Sequence, residues 1–191
     1  MKKYLILLVF ILVQTSQAQQ QIIPLNSDYD NLMENDNYIK DINGDLDKFV
    51  GTWKWVDPSN PNTYLEIVFI KFINYKLAHY AKFYMDQIVG NYKYVENGVL
   101  IVDTLNNFDT TMHSPNSPVM LTVPIKPLFK EFIIIIRDVI KHKDGKAFFD
   151  IIDLNATPLK ATWRLRDSEG IKTAPVPEGF SIPTNVILTK Q

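Results

Sequence analysis

From Gly51 onward, β-branched and aromatic residues come in short runs, each closed by Asn, Asp, Gly or Pro, and no helix longer than a turn is required anywhere. Side chains of that kind suit a pleated, half-buried surface, and the breakers between them are turn formers. Strands are therefore expected near Gly51–Val56, Tyr64–Phe72, Lys76–Phe83, Val89–Val95, Val99–Leu105, Glu131–Val139, Ala147–Leu154, Lys160–Arg166 and Asn185–Lys190. Glu96-Asn97-Gly98 and Lys143-Asp144-Gly145-Lys146 contain the Asn-Gly and Asp-Gly pairs that tolerate positive φ, so each is expected to join its neighbours as a hairpin. Thr110 to Pro127 carries Pro115, Pro118, Pro124 and Pro127, and its middle is expected to be a long loop or an edge. A second proline-rich connection, Ala174 to Pro183, precedes the last strand.

Alternation says which faces are buried. Gly51, Trp53 and Trp55 share one face against Thr52 and Lys54, and Ala161, Trp163 and Leu165 oppose Thr162, Arg164 and Arg166. The run Ile133-Ile134-Ile135-Ile136 is apolar on both faces, which fits a strand covered on both sides or an edge liability. About nine antiparallel strands in one domain must hide their apolar faces in a barrel or a two-sheet sandwich.

The first eighteen residues follow a different rule. Lys2 and Lys3 precede an apolar run from Tyr4 to Val13, and Ser16-Gln17-Ala18 is a small-x-small site, the pattern of a cleaved secretory signal. Ten apolar residues are too few for a spanning helix, which needs roughly 20. The chain has no Cys, which closes acylation at a cleavage-site cysteine, disulfides and thiol chemistry. Loss of Lys2 and Lys3 leaves 18 basic against 21 acidic side chains, a net charge of −3. An exported protein, periplasmic or extracellular, is expected, with no membrane span after cleavage. That charge balance, with Arg only at 137, 164 and 166, argues against nucleic acid as a partner. Residues 19–47 are rich in Asn and Asp and read as a lead-in loop, and residues 48–191 as a single β-barrel domain. Asp45 to Val50 fits one turn of helix capped by an Asp.

Five segments in order along the chain carry a family resemblance: Ile23-Pro24-Leu25-Asn26, Leu46 to Lys54 (LDKFVGTWK), Asp86 to Tyr94 (DQIVGNYKY), Trp163 to Gly170 (WRLRDSEG) and Gly179 to Lys190 (GFSIPTNVILTK). They resemble domain-of-unknown-function family 6705, uncharacterised secreted proteins of Bacteroidota. That resemblance implies a placement and no activity. Gly51-Thr52-Trp53 after a candidate turn is also similar to the start of the lipocalin-like barrels. There the resemblance implies a tryptophan packed beneath a cation from near the barrel's end, here Lys190, Arg164 or Arg166.

No motif singles out chemistry. Asp41, Asn43, Asp45 and Asp47 alternate as in a calcium loop, but Leu46 stands where that loop needs Gly and Thr52 where it needs Glu, so a capped turn explains them. Asp109, His113 and Ser114 share one loop and lack the geometry of a triad. Asp86, Asp103, Asp138, Asp150, Asp153 and Glu169 show no pairing by spacing. Asp103-Thr104-Leu105 and Asp109-Thr110-Thr111 resemble the short O-glycan acceptor sequence of exported Bacteroidota proteins. The aromatic residues Trp53, Trp55, Tyr80, Tyr92 and Tyr94 either fill a core or line a concavity for a flat apolar ligand. Arg164 and Arg166 project from one strand face, in water or toward a carboxylate.

These features predict an all-β fold, an antiparallel lipocalin-like β-barrel of about 8–10 strands with a short N-terminal helical turn. The expected function is a non-catalytic binding module for a small apolar or amphipathic ligand, with no metal or cofactor. The alternative is a protein–protein interaction or inhibitor module of the cell envelope, and the third reading is a hydrolase with a carboxylate-based site.

Overall fold

The computed structural model describes residues 20–27, 36–76, 82–109, 117–122, 131–168 and 177–191. The expected signal, Tyr80, Thr110, the His113-Ser114 pair and Glu169 lie outside the described residues. Among the described residues eleven strands form one sheet: β1 (Ile22–Pro24), β2 (Asn37–Lys40), β3 (Gly51–Asp57), β4 (Asn60–Tyr75), β5 (Phe83–Glu96), β6 (Val99–Asp103), β7 (Met120–Thr122), β8 (Glu131–Asp138), β9 (Lys143–Ile151), β10 (Lys160–Asp167) and β11 (Asn185–Lys190). Eight of them close an antiparallel barrel in the order β5-β4-β3-β11-β10-β9-β8-β7, with β7 pairing back onto β5. Closure removes the free edges of those strands, which is the reason an all-β chain of this size folds as a barrel.

β6 and β7 pair with the same side of β5 and run in the same direction, so they are two pieces of one interrupted strand. The buried Asn91 bridges the interruption: its amide nitrogen donates to the carbonyl of Asn107 (2.7 Å) and its amide oxygen accepts from the N–H of Val119 (3.2 Å). Buried ladder groups freed by the excursion are thereby satisfied. Beyond the barrel, β2 and then β1 extend the sheet in parallel from the first residues of β5.

Alternation within strands holds. Leu65, Ile67 and Phe69 of β4, Ala147, Phe149 and Ile151 of β9, and Ala161, Trp163 and Leu165 of β10 point inward and are buried. Opposite Phe69 stands Gly90, where an added Cβ would lie 2.6 Å from the phenyl ring. Gly90→Ala is expected to cost about 1–3 kcal/mol through this overpacking, read as a lower urea midpoint at unchanged slope.

Several expectations are corrected. The lead-in residues 19–47 contain β1 and β2, whose parallel pairing needs no hairpin signal and whose three or four residues show no alternation. Residues 77–81 of the expected Lys76–Phe83 strand lie outside the described residues; β4 extends to Tyr75, Lys76 is outside it, and Phe83 opens β5. The proline-rich segment supplies β7, a strand paired on both sides, because Met120 to Thr122 fall between Pro118 and Pro124 and keep every N–H. The Asp144-Gly145 pair lies within β9, and the turn is at 139–142 with His142 at φ 52°. Gly145 is needed for space: a Cβ there would lie 2.7 Å from the Phe180 ring. Of the isoleucine run, Ile134 and Ile136 are interior whereas Ile135 is 38% exposed, so only one face is covered. Residues 45–49 form consecutive turns closed by i to i−3 bonds, with no helix, and the capping carboxylate is Asp41, which accepts from the N–H groups of Asp45 (2.7 Å) and Leu46 (3.0 Å). The Asn97-Gly98 hairpin forms as expected, with φ of 53° and 81°.

Candidate functional site

The predicted ligand-binding residues divide between the interior and the outer surface. Trp53 is fully buried; its indole N–H donates to the carbonyl of Phe49 (2.8 Å) and its ring meets Phe149 edge-on at 4.9 Å. Lys190 covers it, with Nζ 5.7 Å from the ring and donating to the carbonyl of Lys48 (2.9 Å). Lys190, and neither Arg164 nor Arg166, is therefore the cation over Trp53, and burial pulls its ammonium below the ordinary lysine range. Trp55 is half-buried against the core margin. Tyr92 is interior, donates its hydroxyl to the carbonyl of Arg137 (3.1 Å), and is pushed up to about 12, mainly by burial. Tyr94 is buried with its hydroxyl on Glu96 (3.2 Å). Arg164 and Arg166 are exposed outside the barrel, 5.7 and 5.6 Å from the Phe148 ring.

The interior between these strands is occupied. Phe69 of β4 lies 5.3 Å from Phe149 of β9, centroid to centroid, although these strands are four places apart around the ring in either direction. Phe132 of β8 stacks on Phe149 at 5.3 Å and meets Phe69 at 5.6 Å, and Phe49 closes the group at 4.5 Å from Phe132. Aromatic contacts therefore cross the barrel from wall to wall, as in small barrels filled by their own side chains.

One end of the barrel holds a carboxylate cluster. Asp86 accepts from the Tyr38 hydroxyl (2.5 Å) and the N–H groups of Asp41 (2.9 Å) and Asn74 (3.1 Å). Lys71 pairs with Asp41 and Asp47, and burial, which would lower its ammonium, is outweighed by the hydrogen bonds it donates to those carboxylates, so that it is raised overall. Burial and the Asp86 carboxylate both hold the Tyr38 phenol in its neutral form. The acceptors are committed to turn and strand donors, so the cluster ties β2 and the turns at 45–49 (the plug turn) to the barrel. Thr104, one of the two glycan acceptor candidates, is buried with its hydroxyl donating to the Tyr92 carbonyl and accepting from its N–H, both at 3.0 Å, which leaves it out of reach of modification in the folded protein.

The outer surface is less complete. Register places Ile133, Phe148 and Arg164 in one row across β8, β9 and β10, then Ile135, Lys146 and Arg166, then Arg137 and Asp144. Leu121 of β7 lies beside Ile135. A depression of about 420 Å³ opens there, with Val119, Leu121, Ile135 and Val139 as apolar walls and Ser117, Arg137 and Asp144 at its polar margin. Arg137 and Asp144 pair at 3.2 Å with more than half of each side chain in solvent. A second depression of about 600 Å³ lies over β3, β10 and β11, among Lys54, Val56, Lys160 and Ile187. Leu121, Ile135, Arg137, Lys146 and Phe148 were not singled out by sequence; strand period alone places 133, 135 and 137 on one face, and only cross-strand register joins them to 146 and 148.

A family model described as a family of unknown function, DUF6705, matches residues 1–191. The chain belongs to this family. No curated protein and no solved structure matches the DUF6705 chain. Among its described residues no helix is long and apolar enough to cross a membrane.

Proposed function

We propose that this DUF6705 protein is an exported, non-catalytic module that binds a protein partner through the outside of its barrel. The observation that carries this reading is the contact of Phe69 with Phe149 across the barrel, which occupies the space where a small ligand would sit. The apolar depression with a charged margin beside Pro118 supplies an outer surface of the kind protein partners use. Export rests on the basic, apolar and small-x-small succession of residues 1–18.

Native mass spectrometry of protein purified from its exporting host tests the first part. The expected native mass equals the denatured one and begins at Gln19; an excess that vanishes on denaturation would restore the small-ligand reading. A photoreactive phenylalanine at position 135 is expected to crosslink one protein species in the host envelope, while the same group at position 187 in the second depression does not. Equal labelling from both positions, or none, would overturn the outer-face reading.

A further inference from the structure

The DUF6705 chain has only three arginines, and folding collects all of them on one face. Arg164 and Arg166 are neighbours on β10, whereas Arg137 comes from β8, and the pairing of both strands with β9 brings them together around Lys146 and Phe148. Two strand spacings separate β8 from β10, and four residues separate the outermost rows, so the four cations fall within roughly 10 by 14 Å. Against them stand Asp144, which pairs with Arg137, and the acidic positions Asp150 and Glu131 of the next register row. The exposed Arg137–Asp144 pair is of the weak kind that a partner's carboxylate displaces at little cost. Within this cationic frame lie Ile133, Ile135 and Phe148, with Leu121 of β7 beside it, and the Arg164 and Arg166 guanidinium groups lie over the Phe148 ring.

We infer that this face docks an extended acidic polypeptide segment, with carboxylates on the arginines and an apolar side chain in the depression; the inference rests on the outer-face reading above. Alternate residues of an extended segment are about 7 Å apart, the spacing of Arg164 and Arg166 along their strand. Guanidinium groups match carboxylates in a forked geometry, and flanking charge sets register and partner choice. A flat lipid surface has no single side chain to seat in the depression among Val119, Leu121 and Ile135, so that depression favours a polypeptide.

The test is fluorescence anisotropy with the purified protein and a labelled eight-residue Glu/Leu peptide, Glu-Ser-Glu-Ser-Leu-Ser-Leu-Ser, whose Glu and Leu side chains share one face when extended, compared with Gln/Leu and Lys/Leu versions in which Gln or Lys replaces Glu. The Glu/Leu peptide is expected to bind at least about tenfold more tightly than the Gln/Leu one, and to weaken as salt is raised. Arg164→Glu with Arg166→Glu is expected to lower its affinity at least about tenfold, Arg164→Gln with Arg166→Gln less, and Lys54→Glu with Lys160→Glu not at all. Circular dichroism of each variant shows whether it is folded, and the glutamine pair keeps the comparison open if the reversal is not. Equal binding of the Glu/Leu and Gln/Leu peptides, both lost in Ile135→Asp, would overturn the acidic partner while leaving the outer-face reading intact. Loss in the Lys54/Lys160 variant, or failure of the Glu/Leu peptide while phosphatidylglycerol vesicles sediment the protein through Arg164 and Arg166, would overturn it in favour of the second depression or a membrane.

Discussion

Phe149→Ala is expected to destabilise the protein by about 3–5 kcal/mol, the range for emptying a buried phenylalanine site. Phe149 is the common member of the central ring cluster, with Trp53, Phe69 and Phe132 at 4.9, 5.3 and 5.3 Å and Phe49 at 6.2 Å. These neighbours come from β3, β4, β8 and the plug turn, whose backbones are fixed by barrel closure, so the site cannot collapse to fill the void. The loss is a large part of the roughly 5–15 kcal/mol that stabilises a domain. Urea unfolding checks it as a lower midpoint at unchanged slope. An apolar cavity of this kind stays dry and accepts a small aromatic molecule, so benzene is expected to raise the melting temperature of the variant and not of the parent. A loss under about 2 kcal/mol would mean that the walls relax inward and that the rings do not hold the barrel apart.

Asp138→Ala is expected to cost about 3 kcal/mol, and the parent's advantage over it to shrink in acid. The Asp138 carboxylate, 1% exposed at the end of β8, accepts from the N–H groups of Ile140 (3.1 Å), Lys141 (3.0 Å) and Ser181 (2.7 Å) and from the Ser181 hydroxyl (2.7 Å). It thus shapes the β8–β9 turn and anchors the segment that carries Phe180 over Gly145. Burial by itself would raise this acid, but the bonds from Ser181, Lys141 and Ile140 outweigh it and hold the carboxyl below the usual aspartate range. The sign follows from that depression. The folded state releases its proton more readily than the unfolded chain, so the contribution is present in full above the unfolded value of about 3.9 and is lost as pH falls through the folded value. Asp138→Asn keeps the oxygen that serves the turn but sets an NH₂ against the Ser181 N–H, and is expected to cost about half as much as the alanine change. Urea titrations of parent and variants near pH 7 and pH 3 check both statements. Variants equal to the parent at neutral pH, or a gap that does not narrow in acid, would contradict them.

The two substitutions probe different parts of one design. Phe149 belongs to the apolar filling of the barrel, and Asp138 to the polar anchoring that holds its connections in place. On the proposed reading, binding falls to the outer face. Arg164 and Arg166 can therefore be changed there without touching the buried Trp163 and Leu165 beside them.

The sequence by itself determined the class of fold and most of the strands. β3 and β10 were legible because a barrel strand is buried on one face, so Trp53, Trp163 and Leu165 alternate with polar residues within a few positions. The Asn97-Gly98 turn was legible because positive φ selects those residue types locally. Tertiary structure alone decided what depends on contacts between distant segments. β7 closes the barrel because β5 and β8 supply its partners, and three residues between prolines carry no periodic signal. Gly145 looked like a turn residue because the Phe180 ring that requires it arrives from 35 positions away. The candidate site divided for the same reason. Strand period put Arg164 and Arg166 on one face, but the union of Arg137, Lys146 and Phe148 with them is a matter of which strands pair and in what register, and register is set by the packing of the whole barrel.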